Sequence, residues 1–196
     1  MFGCLPNEEG VAIHGATDPH IYRDVTLATF GREMTFDEQA QVVNLYVKHL
    51  AVEIELEPSY RVMPGIPELI KTLAASSEIA LGLQTGNWEQ AVSVKLNRAN
   101  LYSYFEFGGF GSDGAERSEI VRVAISRAKK LSVDPIDIVV IGDTPQDIRA
   151  GKVNGFTTIG VATGIYNFEQ LSNENPTHVL SDFSNTEKVL SLIGIS

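Results

Sequence analysis

The stretch Asp137-Ile138-Val139-Val140-Ile141-Gly142-Asp143-Thr144-Pro145-Gln146-Asp147-Ile148 decides the fold. Val139, Val140 and Ile141 show no polar alternation, so they read as a strand buried on both faces, the pattern of a parallel sheet. Gly142 ends the run. Pro145 suits the first turn of a helix, where a missing N–H costs nothing. Asp143 then stands at the carboxyl end of a strand, where open α/β sheets gather their ligands. Asp147 falls at the start of the next helix. Two carboxylates converging on one sheet edge repel each other unless a cation lies between them. Oxygen ligands of this kind suit Mg²⁺.

Outward from this stretch, helices alternate with short apolar runs from about Pro64 onward. A helix carrying Ile66, Leu69, Ile70 and Leu73 precedes a strand from Ile79 to Gln84. A helix with Ala91, Val94 and Leu96 precedes a strand within 105–110. The helix of Ile120, Val123, Ala124 and Ala128 feeds the strand from Ile138 to Ile141. Thr157–Val161 and His178–Leu180 read as the last strands. The alternation predicts a mainly parallel, doubly wound sheet with helices on both faces.

Residues 1 to about 60 differ: they read as helices joined by polar loops. Asp18-Pro19 is a helix start with Asp18 as N-cap, and Gly31 stops that helix. Thr35 and Glu38 match a capping box, each able to satisfy an orphan N–H of the other. Glu57-Pro58 marks the return toward the α/β region. The sequence thus divides into a helical part, 1–61, and an α/β part, 62–196.

Bulk properties narrow the function. The chain has 196 residues and 43% apolar content, enough for a real core. Its net charge of −10 argues against nucleic acid and against anionic membrane surfaces as partners. A small phosphorylated metabolite still fits, given a local cationic site. Cys4 is the single cysteine, so no intrachain disulfide forms and a reducing cytoplasm is consistent. Its expected role is a small, partly buried side chain. No apolar run reaches membrane-spanning length.

The Asp143 stretch resembles motif IV of the haloacid dehalogenase-like (HAD) phosphohydrolases. Leu81-Gly82-Leu83-Gln84-Thr85-Gly86-Asn87 resembles the strand and Thr/Ser turn of motif II. Phe107-Gly108-Gly109-Phe110-Gly111-Ser112-Asp113, followed by Arg117, resembles the motif III region. Pro64-Gly65 opening a helix and Gly160-Val161-Ala162-Thr163-Gly164 fit the phosphoglycolate phosphatase-like branch. The resemblance covers nearly the whole chain. It implies a Rossmann-like core with a helical cap and a Mg²⁺-dependent phosphatase of small phosphomonoesters. Within it, Thr85, Gly86, Asn87 and Arg117 contact substrate, with Thr85 and Arg117 serving catalysis. Asp143 and Asp147 serve the metal. Arg117 stands where the family usually has lysine; it keeps the charge and adds a fork of donors.

Each of these residues also has a plain structural role. Thr85-Gly86-Asn87 could be an ordinary turn with Asn87 as N-cap, Asp143 a cap for the helix after it, Asp147 a carboxylate satisfied by the helix dipole. Asp113 is a candidate to hold Arg117. Gly15-Ala16-Thr17-Asp18 resembles the cap loop that leans over the active site. His14 and His20 are candidate substrate contacts, though loop histidines are usually polar surface. Trp88 reads as helix packing, and Lys129 and Lys130 as solvated.

One departure is large. HAD enzymes begin with a strand ending in Asp-x-Asp, whose first aspartate attacks phosphorus and whose second protonates the leaving group. No Asp-x-Asp occurs in this sequence. A strand, a helix and their loops, on the order of 20–25 residues, are expected to be missing. In the family that strand is central, between those of motifs II and IV. Those two strands are therefore expected either to pair directly or to leave open edges. The resemblance then implies impaired catalysis. The alternative is an inactive phosphate- or metal-binding protein, or a piece of a split or mis-started gene.

Overall fold

The computed structural model describes residues 4–11, 13, 15–131, 133 and 137–195. His14 lies outside them. Helix α1 spans Asp18–Phe30 and α2 spans Phe36–Leu56. The α1 cap corrects the sequence reading: Thr17 is the N-cap and Asp18 is already helical. Thr17 holds the reciprocal place because its hydroxyl reaches both the His20 N–H (3.4 Å) and His20 Nδ1 (3.1 Å). The capping box at α2 is as expected, with Glu38 N to Thr35 Oγ1 at 3.2 Å and Thr35 N to Glu38 Oε2 at 2.8 Å. Cys4 is exposed rather than partly buried.

Helix α3 (Ile66–Ala74) follows Gly65, which adopts φ +83°. A Cβ there would sit 1.9 Å from the Phe183 carbonyl oxygen, so both the turn and the close approach require glycine. Strand β1 (Gly82–Gln84), helix α4 (Glu89–Arg98), strand β2 (Phe107–Gly109) and helix α5 (Arg117–Lys130) come next. Strand β3 (Val139–Gly142), α6 (Pro145–Val153), β4 (Thr157–Val161), α7 (Phe168–Ser172), β5 (His178–Leu180) and α8 (Thr186–Leu192) complete the chain. This is the α/β architecture with parallel strands that the alternation predicts.

The strands form two sheets. β1 pairs with β2, with Gly82 opposite Phe107 and Gln84 opposite Gly109. β3, β4 and β5 pair in that order, with Val139 opposite Thr157 and Ile159 opposite His178. β1 and β3 are not hydrogen-bonded to each other, and no strand among the described residues joins the sheets. The open edges, not direct pairing, are therefore what the structure contains. The apolar run expected as a strand from Ile79 to Gln84 enters the ladder at Gly82, opposite Phe107, where its partner β2 begins.

Two apolar clusters explain how β3 is covered. On one side Leu69 and Leu73 of α3, Ile159, Val161 and Leu180 of the sheet, Phe183, and Val189 of α8 form the main core. Val139, Ile141 and Leu81 pack against it. On the other side Val140 meets Val121 of α5 and Ala150 of α6. Alternate residues of β3 thus serve opposite clusters, so an uninterrupted apolar run is what the position demands. Helix α5 lies against β1 and β2 and also against α6, which lies against β3 and β4. The helix layer spans the gap that the strands leave open. The helical front docks on the same body, α2 against α4 and α1 against the 3-10 turn Gly111–Asp113. Trp88 is buried between the Tyr22 and Tyr46 rings, with centroids 4.9 and 5.8 Å away. No helix among the described residues is long and apolar enough to cross a membrane.

Candidate phosphate- and cation-binding rim

The carboxyl ends of β1 and β3 lie on one rim, and side chains cross between them. Asp143 follows β3 directly. The helix after it is capped by Thr144, not by Asp143. Thr144 and Asp147 form a capping box: Asp147 Oδ2 accepts from the Thr144 N–H (3.1 Å) and hydroxyl (2.7 Å), and Thr144 Oγ1 accepts from the Asp147 N–H at 3.3 Å. Gly142 permits this packing, since a Cβ there would meet the Asp147 Cβ at 2.3 Å. The other Asp147 oxygen, Oδ1, accepts from Gln84 Nε2 at 2.9 Å and lies 3.3 Å from Arg117 Nε. Asp147 is 5% exposed and has both oxygens engaged.

Asp143 is different. The Asp143 carboxyl is pushed above the ordinary aspartate value, by burial first and by the Asp147 charge second. Its own backbone hydrogen bond and the Arg117 charge oppose this. Among the described residues no side-chain hydrogen bond from another residue compensates it. An uncommitted carboxylate differs from an engaged one in what it can still do: Asp143 retains lone pairs for a cation, whereas Asp147 would have to surrender partners. Among the described residues no group of three or more His, Cys, Asp or Glu side chains forms a closed metal cage. The donor set fits Mg²⁺, which is commonly held by one or two carboxylates with the remaining positions filled by water and phosphate.

Arg117 is the first residue of α5, and its side chain is 12% exposed. Its Nε is buried and makes no hydrogen bond, despite the nearby Asp147 oxygen. Gln84 Oε1 and Gln146 Oε1 are also buried without partners. An unmet buried polar atom costs about 1–3 kcal/mol, so three at one rim mark a place built for polar contact. Asp113 does not hold Arg117, as the sequence had suggested. It forms a fork with Arg127 instead, at 2.6 and 2.7 Å. Helical periodicity explains the switch: Asp113 precedes α5 and closes over its third turn, where Arg127 also reaches the Gly108 carbonyl at 2.6 Å.

Thr85, Gly86 and Asn87 form the turn between β1 and α4. Thr85 N donates to the Gly109 carbonyl (3.1 Å), and Thr85 Oγ1 accepts from the Asn87 N–H (3.2 Å). The threonine hydroxyl keeps its proton available. Asn87 is not the cap of α4; Trp88 occupies that position without a side-chain bond. The Asn87 amide is drawn instead to Asp18, with Nδ2 to Oδ1 at 3.0 Å, while Trp88 N donates to Asp18 Oδ2 at 2.9 Å. Asp18 N in turn donates to the Gly86 carbonyl at 2.7 Å. The Gly15–Asp18 loop is thereby fastened onto the threonine turn. Lys95 donates to Asn87 Oδ1 at 2.8 Å, and burial pulls its ammonium below the ordinary lysine value against the supporting charge of Asp18. Burial, then Tyr46 and Asp18, push the Tyr22 phenol up to about 12.

Of the six expected site residues Thr85, Gly86, Asn87, Arg117, Asp143 and Asp147, the contacts join Arg117 to Asp147, whose charges also act on Asp143, while Thr85, Gly86 and Asn87 follow Gln84 in the chain and bond among themselves, to Gly109, Asp18 and Lys95. Sequence reasoning missed Gln84, Asp18 and Lys95 as parts of this network. Gln84 carried a signal: a polar residue ending an otherwise apolar strand. Lys95 carried none, because a lysine on a helix normally reads as solvated. Lys129 and Lys130 are exposed, as expected, and His20 is tied to Thr17.

Comparison with known proteins finds likeness in sequence and in fold. Residues 118–186 match the HAD-hydrolase-like family model. A phosphoglycolate phosphatase of Salmonella paratyphi A is 24% identical over 157 residues, 80% of this chain and 61% of that protein. The pyrophosphatase PpaX of Bacillus velezensis is 39% identical over 107 residues, 53% of this chain and 48% of that protein. The crystal structure of a hydrolase from Pseudomonas syringae superposes with a TM-score of 0.66 at 21% identity, covering 93% of this chain and 81% of that one. The chain is thus similar over residues 118–186 to HAD-hydrolase-like proteins, and similar in fold to a solved hydrolase. The chain spans 53% and 61% of the length of two of the curated relatives it matches.

Proposed function

We propose that this chain carries the phosphate- and cation-binding half of a Mg²⁺-dependent phosphatase acting on small phosphomonoesters, with 1–61 as part of a cap and 62–196 as the core. One observation supports this reading: a half-buried carboxylate with a raised proton affinity, Asp143, follows β3 beside Asp147, to which an arginine, Arg117, and the residue before the threonine turn, Gln84, both come close. The named relatives, a phosphoglycolate phosphatase and a pyrophosphatase, act on phosphate compounds by their names.

The Thr85 hydroxyl and the N–H groups of the turn donate to phosphoryl oxygens. Arg117 supplies positive charge where negative charge builds up in the transition state. Asp143 holds the cation, and Asp147 holds Arg117 and the start of α6 in place. Bound Mg²⁺ would neutralise phosphoryl charge and orient the ester. Nothing in these residues supplies an attacking carboxylate, and members of a catalytic unit lose most of the rate when one is absent.

The test is binding first and turnover second. Inorganic phosphate with Mg²⁺ should bind in calorimetry, Asp143→Ala should abolish the Mg²⁺ dependence, and Arg117→Ala should weaken phosphate. Turnover of p-nitrophenyl phosphate by the 196-residue chain should be negligible. Robust turnover lost in Asp143→Ala would mean that a nucleophile is present and unrecognised.

A second reading has its own support. The facing edges of β1 and β3 are unpaired, which favours a phosphate or metal binder, or a piece that takes up a strand from elsewhere. Reading the coding DNA upstream of Met1 separates the two. An in-frame Asp-x-Asp strand favours the enzyme, and an immediate stop favours the binder.

A further inference from the structure

Lys95 is the least expected member of the clasp between the helical front and the threonine turn. A lysine on a helix usually carries its ammonium out to water. This one leans back along α4 toward the helix start, the direction helical side chains favour, and its Nζ donates to Asn87 Oδ1 at 2.8 Å, eight residues earlier. Burial lowers its proton affinity and the Asp18 charge only partly offsets this, so the ammonium is held there at a cost. Asp18 in turn is 8% exposed and makes no ion pair among the described residues. The Asn87 amide stands between the two charges: its oxygen faces the ammonium, and its Nδ2 donates to Asp18 Oδ1 at 3.0 Å. The other Asp18 oxygen takes the Trp88 N–H at 2.9 Å. A flipped amide would set Nδ2 against the ammonium and Oδ1 against the carboxylate, so both charges select the same orientation.

We propose that Lys95 is a positioning residue for the threonine turn: through the Asn87 amide it supports the Asp18 carboxylate on the Trp88 N–H, and so holds the helical front on the turn that follows β1. The two backbones meet closely at the same place, since a Cβ on Gly86 would lie 2.8 Å from the Ala16 carbonyl oxygen. Trp88 is 3% exposed and packs between the Tyr22 and Tyr46 rings. In such surroundings a charge acting through one polar amide is felt strongly. Asn87 is then a link in this chain, with both ends of its amide committed to Lys95 and Asp18. The clasp itself does not depend on the phosphatase reading; only what the turn would bind rests on it.

The test is hydrogen exchange in the full chain, read at the Trp88 backbone N–H and, as a reference for the whole fold, at the amides of β4. Lys95→Met should speed the Trp88 exchange about tenfold and leave β4 unchanged; a role in overall stability alone would move both. In an Asp18→Asn background the same change should add little, because Lys95 acts through Asp18. Asn87→Asp keeps a partner for Lys95 but sets a second carboxylate against Asp18, and should free the Trp88 N–H. The double variant Asp18→Asn/Asn87→Asp moves the one carboxylate next to Lys95 and leaves every donor an acceptor, so it should restore protection. Inorganic phosphate with Mg²⁺ should bind Lys95→Met more weakly than the parent chain. Trp88 exchange that is unchanged in Lys95→Met, that rises equally with β4, or that adds to the effect of Asp18→Asn would overturn the proposal. So would a double variant no better protected than Asn87→Asp, or equal phosphate affinity in Lys95→Met and a parent that binds it. A parent that binds no phosphate removes the phosphatase reading, and the exchange data still decide for or against Lys95.

Discussion

The two sheets of this molecule are written in the same residue language and end in different states. β3, β4 and β5 make a ladder in which β4 has partners on both sides, and four of its five residues are buried. β1 and β2 make one three-residue pairing, and β1 leaves its outer edge open. Both regions begin as apolar runs between helices. The difference teaches that a side-chain pattern proposes a strand, but backbone partners complete it. Covering helices can span a gap in a sheet, as α5 and α6 do here, without filling its hydrogen bonds.

The largest effect that sharpens this comparison is a core deletion in each sheet. Ile159→Ala, at a fully buried site in the main cluster, should cost about 2–5 kcal/mol in urea unfolding. Leu83→Ala, on half-buried β1, should cost roughly half as much. Equal losses would break the contrast and show that the two sheets share one cooperative core.

Next is the fastening of the helical front to the threonine turn. Asp18→Ala strips the partners from the Asn87 amide and the Trp88 N–H. It should cost about 2–3 kcal/mol, as expected for charge-assisted bonds lost from a buried site. Selective protection loss around Thr85–Trp88 in hydrogen exchange should accompany it. Unaltered exchange there would show that the turn is held by the β1–β2 sheet alone.

The smallest effect is electrostatic and lies at β3. The folded Asp143 carboxyl holds its proton more tightly than an unfolded one. Its contribution to stability is therefore full below the ordinary carboxylate range and falls as pH rises from there through the raised folded value. Asp143→Asn should flatten that fall, gaining on the order of 0.5 kcal/mol at neutral pH once partial exposure is allowed for. It should also remove any stabilisation by Mg²⁺, read as a melting shift. A pH profile identical to the parent would mean that the carboxylate is freely hydrated.

Much of the rim was legible because its parts have local causes. Gly142 and Asp143 end an apolar run, Pro145 marks a helix start, and Thr85 lies in a strand-to-helix turn. The cap assignments were legible only to within a residue: Thr17 for Asp18, Thr144 for Asp143, Trp88 for Asn87. In each case a neighbouring polar side chain had a better distant partner or a shorter local reach. The Asp113 partner was wrong because α5 offers three arginines, Arg117, Arg122 and Arg127, and only helix phase in three dimensions chooses Arg127.

By itself the sequence determined the order of helices and strands, the parallel pairing they imply, and the chemistry gathered at strand ends. Periodicity and turn residues act over a few neighbours, so they survive without a fold. The tertiary structure alone decided that β1 and β3 stay apart, that Asp18 clasps the threonine turn, and that Gln84 and Arg117 converge on one Asp147 oxygen. Those outcomes depend on competition between groups 63 to 70 residues apart for the same lone pairs and N–H groups, and no local pattern ranks such competitors.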